Sequence, residues 1–264
     1  MNIVVCIKQV PGTTQVKINP DTGTLIRDGV EAVVNPFDEY AIEEALRIKE
    51  RLGAGVIKVI SMGPPQAEEA LKSAIAMGAD EAYLVTDRAF AGSDTWATSY
   101  TLANAIRTLG KVDLIICGKQ AIDGDTAQVG PGVAEMLDIP FVAWVRKVED
   151  VSETQIRVER MMEDGYEVVD MPLPGLMTVV KEINVPRMAS LKGKMRAKKT
   201  AVATINAEAL KAADKEKIGL KGSPTQVLRS FVPQRKTGGE KVGGETSDLV
   251  NKIKSTILDL GVIR

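Results

Sequence analysis

Between Asn2 and Asp138 the chain alternates four times between a short apolar run and a stretch of helical period, and this rhythm limits the fold more than any other feature. The apolar runs are 2–10 (NIVVCIKQV), 55–63 (GVIKVISMG), 81–87 (EAYLVTD) and 112–118 (VDLIICG). The helical stretches that follow them are 35–53, 64–80, 93–110 and 125–138. Asn35-Pro36 and Pro64-Pro65 open the first two helices, Ser93-Asp94 opens the third, and Gly53 and Gly78 mark stops. Strands and helices joined by such short connections call for a parallel sheet with helices on both faces, the doubly wound α/β class. Ligands of such sheets bind outside the carboxyl ends of the strands. That rule gathers Cys6 to Val10, Met62-Gly63-Pro64, the segment after Asp87, and Gly118 onward on one rim.

Two insertions interrupt or extend the rhythm. Residues 16–29 (VKINPDTGTLIRDG) read as a polar hairpin with Asn19 to Gly23 at its tip. After residue 139 the strand-like segments 139–151, 154–165 and 166–180 predict an antiparallel or mixed β extension, with a turn at Asp164-Gly165. From Asn184 the periodicity thins into basic, Gly-rich and Pro-rich sequence, and only 246–261 reads as a helix. Its apolar beads, Val227-Leu228, Phe231-Val232 and Leu249-Ile253-Ile257, predict an arm that wraps a partner rather than a domain that folds alone.

Composition removes several functions. Lys plus Arg total 34 against 35 Asp plus Glu, so no net charge draws the chain to nucleic acid. No run approaches the roughly 20 apolar residues of a membrane span, and the N-terminus lacks a signal-peptide pattern, so a cytoplasmic protein is expected. The absence of histidine excludes Ser-His-Asp and Cys-His catalysis and His-ligated zinc. Cys6 and Cys117 lie in apolar runs without CxxC spacing and read as reduced core thiols. No metal site is expected.

Three polar constellations share the rim. The segment 118–131 (GKQAIDGDTAQVGP) can offer backbone N–H groups, the Thr126 hydroxyl and a helix N-terminus to a phosphate, with Asp123 and Gln128 available to a sugar or base. It can equally be an ordinary strand-to-helix corner. Asn35 either reads an adenine edge or caps its helix. Asp94, Thr95 and Thr98 open the third helix, with Thr95 and Thr98 on one face, as a polar contact or as capping. A fourth segment, 187–199 (RMASLKGKMRAKK), holds six Lys or Arg around Met188, Leu191 and Met195, either a solvated face or a dock for an acidic partner.

Together, CIKQVP at 6–11, VVNPFDEYAIEEALRIKE at 33–50, SMGPPQAEEALKSAIAMGAD at 61–80, VDLIICGKQAIDGDTAQVGP at 112–131 and RMASLKGKMRAKK at 187–199 closely resemble the β (small) subunit family of electron-transfer flavoproteins, nearly end to end. The resemblance implies an adenine-nucleotide α-hydrolase-like, Rossmannoid fold. It implies a nucleotide-binding domain over 1–184, and a recognition loop plus arm over 185–264 that wraps the larger α subunit in a heterodimer. It places an adenine nucleotide against the backbone at Cys6 and Met62, against Asn35, Phe37 and Asp38, and against Gly118, Gln120, Asp123, Gly124, Asp125, Thr126, Ala127, Gln128 and Val129. Leu191, with Lys194 and Met195, would meet a partner dehydrogenase.

The family has two functional branches. In one, this subunit holds a structural AMP and serves a simple electron carrier fed by acyl-CoA dehydrogenases. In the other, the pocket holds FAD, takes a hydride from NADH, and splits the electrons. One goes to ferredoxin or flavodoxin, and the other to a second FAD in the α subunit that serves an acyl-CoA or other flavin dehydrogenase. The segments GSDTWATSYTLANAI and DGDTAQVGPG resemble the second, electron-bifurcating branch, which assigns Asp94, Thr95 and Thr98 to the flavin. The remaining alternative is an adenine-nucleotide-binding regulatory module without redox work.

Overall fold

A computed structural model describes residues 1–12, 17–18, 25–26, 32–228, 239 and 241–261. The four expected strand-helix repeats are present. They are β1 (Asn2–Cys6) with α1 (Pro36–Leu52), β6 (Val56–Met62) with α2 (Glu68–Met77), β7 (Glu81–Val85) with α3 (Thr95–Thr108), and β8 (Leu114–Gly118) with α4 (Val129–Leu137). Between β1 and α1 lie two short antiparallel pairs, β2 (Gln9–Pro11) with β5 (Ala32–Val34), and β3 (Lys17–Ile18) with β4 (Leu25–Ile26). The last pair forms the expected hairpin, whose tip at 19–24 lies outside the described residues.

The remaining elements are β9 (Phe141–Val151), β10 (Gln155–Met161), β11 (Tyr166–Pro172), β12 (Gly175–Val179), α5 (Leu191–Lys199), β13 (Ala203–Ile205) and α6 (Thr246–Asp259). One nine-stranded sheet runs in the order β11-β10-β9-β12-β8-β1-β6-β7-β13. Every pair from β9 to β13 in that order is parallel, and β10 and β11 add antiparallel strands at one edge. The central strands are buried on both faces, which is why their sequences read as continuous apolar runs.

Ile3, Val5, Ile57 and Val59 face the apolar residues of α1 and α2, including Ala41, Ile42, Leu71 and Ile75. Val4, Ile60, Ile115 and Cys117 face α3 and α4 through Leu102, Ile106, Val133 and Ala134. Gly78 makes the tight turn from α2 to β7 possible: its φ is +144° and an added Cβ would lie 2.7 Å from Leu46 Cδ2.

Two readings of the sequence are made specific by the structure. The antiparallel or mixed extension is mixed, because β11 pairs antiparallel at the edge and β12 returns between β8 and β9 in the parallel sheet. Its burial is complete along all five residues, so it carries no alternation to distinguish it from its neighbour. Likewise 185–228 is not featureless. Helix α5 packs on α2, where an added Cβ on Gly193 would stand 2.1 Å from the Ala76 carbonyl, and β13 becomes the edge strand beside β7.

Strand β9 pairs with β12 at its start and with β10 toward its end. Trp144 lies in this stretch with φ +59° and donates its N–H to Thr178 Oγ1 at 3.1 Å. A bulky residue in the left-handed region marks a bulge that re-aims the strand.

Met1–Arg229 forms one compact unit and Ser230–Arg264 a second. The described part of the second is dominated by α6, none of whose residues is buried and whose Leu249, Ile253 and Ile257 recur every fourth position.

Candidate functional site

The connections out of β1 and β8, neighbours at the centre of the sheet, run to opposite faces: α1 follows β1 on one side and α4 follows β8 on the other. A doubly wound sheet opens a crevice at such a point. Here the crevice is a cleft of about 1160 Å³, lined by the carboxyl ends of β1, β6, β7 and β8, the first turn of α3 and the loop 118–130. It exceeds the roughly 300–1,000 Å³ of ordinary small-molecule pockets, which leaves room for a dinucleotide.

All the expected cofactor contacts except Phe37 and Asp123 line this cleft: Cys6, Asn35, Asp38, Met62, Asp94, Thr95, Thr98, Gly118, Gln120 and the run Gly124 to Val129. Phe37 instead packs behind the wall, its backbone and Cβ pressed to within 2.6 and 2.8 Å of where a Cβ of Gly118 would be. Asp123 turns to Lys8, whose Nζ donates to its Oδ1 at 2.6 Å. Lys8, Thr86, Asp87, Arg88 and Lys119 also line the cleft, though none was named among the expected cofactor contacts. They follow strand ends, so the carboxyl-end rule reaches them in principle, but no motif singles them out.

Asn35 does not cap α1 through its side chain. Its Nδ2 donates to Asp38 Oδ1 at 3.0 Å and to the Gln120 carbonyl at 2.9 Å, while its Oδ1 accepts the Ile122 N–H at 3.1 Å. With these atoms occupied, the side chain fastens the start of α1 to the loop after β8. Asp38, also buried, accepts the Lys8 N–H at 2.7 Å. Burial pushes the Asp38 carboxyl up to about 7, against the lowering effects of Asn35 and the Lys8 and Gly118 N–H groups.

Gly118, Gly130 and Gly132 serve close packing. An added Cβ would meet Asp38 Oδ1 at 2.3 Å from Gly118, Thr178 Cγ2 at 2.8 Å from Gly130 and Ser99 Oγ at 2.5 Å from Gly132. The left-handed positions of the loop belong instead to Asp125, φ +54°, and Ala127, φ +55°. Ala127 has no side-chain hydrogen bond to offset that conformation, which costs roughly 1–2 kcal/mol, and such strain clusters at binding sites. Gln120 Nε2 donates to Asp125 Oδ1 across the loop.

Helix α4 begins at the cleft with no side-chain cap, and Val129 and Gly130 of its first turn line the cavity. Across from it, Asp94 caps α3 by accepting the Ala97 N–H at 3.0 Å, and its second oxygen accepts Thr225 N–H at 2.9 Å and Thr225 Oγ1–H at 2.8 Å. Burial pushes the Asp94 carboxyl up, but these donors outweigh it and hold the group below its ordinary range. Thr95 Oγ1 donates to Gln128 Oε1 at 3.1 Å, closing the rim between α3 and the loop, and Thr98 lies behind it on the same helix face.

The uncapped helix start, the left-handed loop and the size of the cleft fit an adenine nucleotide, whose phosphates need N–H donors. No cluster of His, Cys, Asp or Glu suited to a metal occurs among the described residues. No described helix is long and apolar enough to cross a membrane.

The basic segment lies elsewhere on the first unit. Arg187 grips α1 through Glu43 and Glu50, with Nε at 2.8 Å from Glu43 Oε2 and Nη1 at 2.6 Å from Glu50 Oε1. Ser190 caps α5, and Arg196 donates to the Ile75 and Ala79 carbonyls at the end of α2, both at 2.7 Å. Leu191, Lys194 and Met195 share an outward face three and four residues apart, and Leu191 is 77% exposed.

A doubly wound sheet with a large cleft at its switch point defines an α/β protein with a candidate ligand site, and comparison with known proteins makes the class specific. The model of the electron transfer flavoprotein domain matches residues 22–210. The chain is 53% identical to the electron transfer flavoprotein subunit beta of Thermoanaerobacterium thermosaccharolyticum over 96% of each chain. It is 50% identical to the caffeyl-CoA reductase-Etf complex subunit CarD of Acetobacterium woodii, over 96% of this chain and 98% of that one. Protein FixA of Azotobacter vinelandii is 44% identical, over 98% and 94%. The chain belongs to the electron transfer flavoprotein family, as a subunit of the β type.

Proposed function

We propose that this chain is the flavin-binding β subunit of an electron-bifurcating electron transfer flavoprotein, holding FAD in the cleft and pairing with an α subunit that carries a second FAD. The observation that carries this reading is the volume of the cleft, about 1160 Å³, lined both by 124–129 and by Thr95 and Thr98 of α3. When bound, the flavin supplies the redox chemistry, accepting two electrons from NADH and passing them on singly toward ferredoxin or flavodoxin and toward the α-subunit flavin that serves a dehydrogenase.

The chain's own residues bind and orient. The start of α4 and the loop 124–128 receive the phosphates, and the Asn35-Asp38 staple keeps that loop against β1. Thr95 and Thr98 offer hydroxyls where the ring would lie and so adjust its potential. The face of Leu191, Lys194 and Met195 meets the partner dehydrogenase, and the arm after Arg229 wraps the α subunit.

The test is the coupling itself. The purified α/β complex is expected to reduce ferredoxin or flavodoxin with NADH only when a high-potential dehydrogenase acceptor is also present. Acceptor reduction that never involves the low-potential carrier would replace this reading with that of a simple carrier holding AMP.

A further inference from the structure

The cleft contains one pair of groups for which the proposed function has no use. Cys6 is the last residue of β1 and Cys117 the next to last of β8. The strands are parallel, with Cys6 directly opposite Cys117. Both side chains join the apolar layer under α3 and α4, both line the cleft, and both are free thiols, 9% and 7% exposed. The Cys6 thiol, reinforced by burial, pushes the Cys117 thiol up, so Cys117 keeps its proton beside Cys6.

We propose that Cys6 and Cys117 are a reversible dithiol/disulfide couple on the floor of the cleft, oxidised by small peroxides that enter through it. Adjacent strands stand about 4.8 Å apart, within the roughly 4.4–6.8 Å between Cα atoms that a disulfide spans. The closure that brings the sulfurs together falls at the last paired position of β1 with β8. A buried thiol alone is inert, but a second thiol in the next strand turns the first oxidation product into a disulfide.

The Cys6 sulfur attacks one oxygen of hydrogen peroxide, the O–O bond breaks, and the thiol proton leaves with the departing hydroxide as water. The Cys117 sulfur then attacks the Cys6 sulfenic acid, the S–S bond forms, the S–O bond breaks, and the Cys117 proton leaves with that oxygen as a second water. Two thiols are oxidised by two electrons and one peroxide is reduced to two waters. An adenine nucleotide in the cleft, which rests on the proposed function, covers this route.

The full-length protein, exchanged free of nucleotide, is treated with hydrogen peroxide, denatured and alkylated with iodoacetamide. These two residues are its only cysteines, so the mass is unambiguous. The expected product is a chain lighter by two hydrogens, without alkylation, that yields one Cys6–Cys117 cross-linked peptide and regains two alkylation sites after dithiothreitol. Two fully alkylated cysteines, separate sulfinic or sulfonic acids, or a bond between two chains would overturn the proposal. In Cys117→Ser, Cys6 is expected to stop as a sulfenic acid that dimedone traps; should that variant not fold, the unsubstituted chain decides alone. With FAD bound, verified by equilibrium dialysis on the same sample, disulfide formation is expected to slow about tenfold or more, because access governs thiol oxidation. Equal rates in a sample that holds FAD overturn the shielding, whereas a sample that takes up no FAD counts against the proposed function and leaves the dithiol result standing.

Discussion

The Thr95 hydroxyl donates to Gln128 Oε1 at 3.1 Å, so the first turn of α3 and the loop before α4 meet across the mouth of the cleft. Two segments 33 residues apart in sequence thereby become one rim. Thr95→Val combined with Thr98→Val removes both hydroxyls at nearly constant volume. Each hydrogen bond contributes about 0.5–1.5 kcal/mol, so flavin affinity of the complex is expected to fall about three- to tenfold per hydroxyl engaged. The thermal midpoint should change little. Equilibrium flavin release followed by fluorescence measures the first and calorimetry the second; unchanged release would remove these residues from the site.

Asp38 makes stability depend on pH with a definite sign. Its carboxyl is raised from 3.8 to about 7 by burial, so between those values the folded chain holds a proton that the unfolded chain has lost. Folding is therefore favoured below the lower value, and that contribution drains away as pH rises through the folded one. The full effect is on the order of 4 kcal/mol at most, because each tenfold change in proton affinity is worth about 1.4 kcal/mol. Chemical denaturation from about pH 4 to about pH 8, in the native chain and in Asp38→Asn, checks it. The native chain is expected to lose stability across this window relative to the variant, even if the variant is less stable throughout because an amide cannot accept from both flanking N–H groups.

Arg187 holds the start of the basic segment on α1, and Glu43 beneath it is almost wholly buried. Burial pushes the Glu43 carboxyl up, and the Arg187 contacts outweigh this and lower it. Its contribution is thus present above the unfolded carboxyl range and lost as pH falls through the folded value. Arg187→Ala leaves Glu43 with Arg47 alone at 3.2 Å and is expected to cost about 1–3 kcal/mol at neutral pH. Arg187→Lys should recover little, since an ammonium cannot grip two carboxylates with a planar fork. Urea denaturation measures both.

A chain ending at Arg229 separates the arm from the body. The first unit keeps its nine-stranded sheet, α5 and β13, so it is expected to unfold cooperatively by circular dichroism. Association with the α subunit, read by size-exclusion chromatography, is expected to be lost. A stable heterodimer from the shortened chain would contradict the wrapping arm.

What the sequence disclosed follows from what it can encode locally. The four strand-helix repeats, the rim and the opening of α3 at Asp94 are written in periodicity and caps within a few residues. The place of β12 between β8 and β9 is a long-range pairing of a segment buried throughout, with no pattern of its own. Asn35 suggested a cap or a reader because its distant partners, Gln120 and Ile122, are fixed only by the sheet. Asp123 paired with Lys8, and Cys6 with Cys117, for the same reason: strand order brings together residues more than a hundred positions apart. The neighbours that an added Cβ at Gly118, Gly130 or Gly132 would meet are likewise fixed only by the fold.

The cofactor content of the native complex tests the central claim most directly. Heat or acid releases the bound nucleotides from the purified α/β heterodimer, and chromatography counts FAD and AMP against protein. Two FAD and no AMP per heterodimer is the predicted result. One FAD accompanied by one AMP would contradict it.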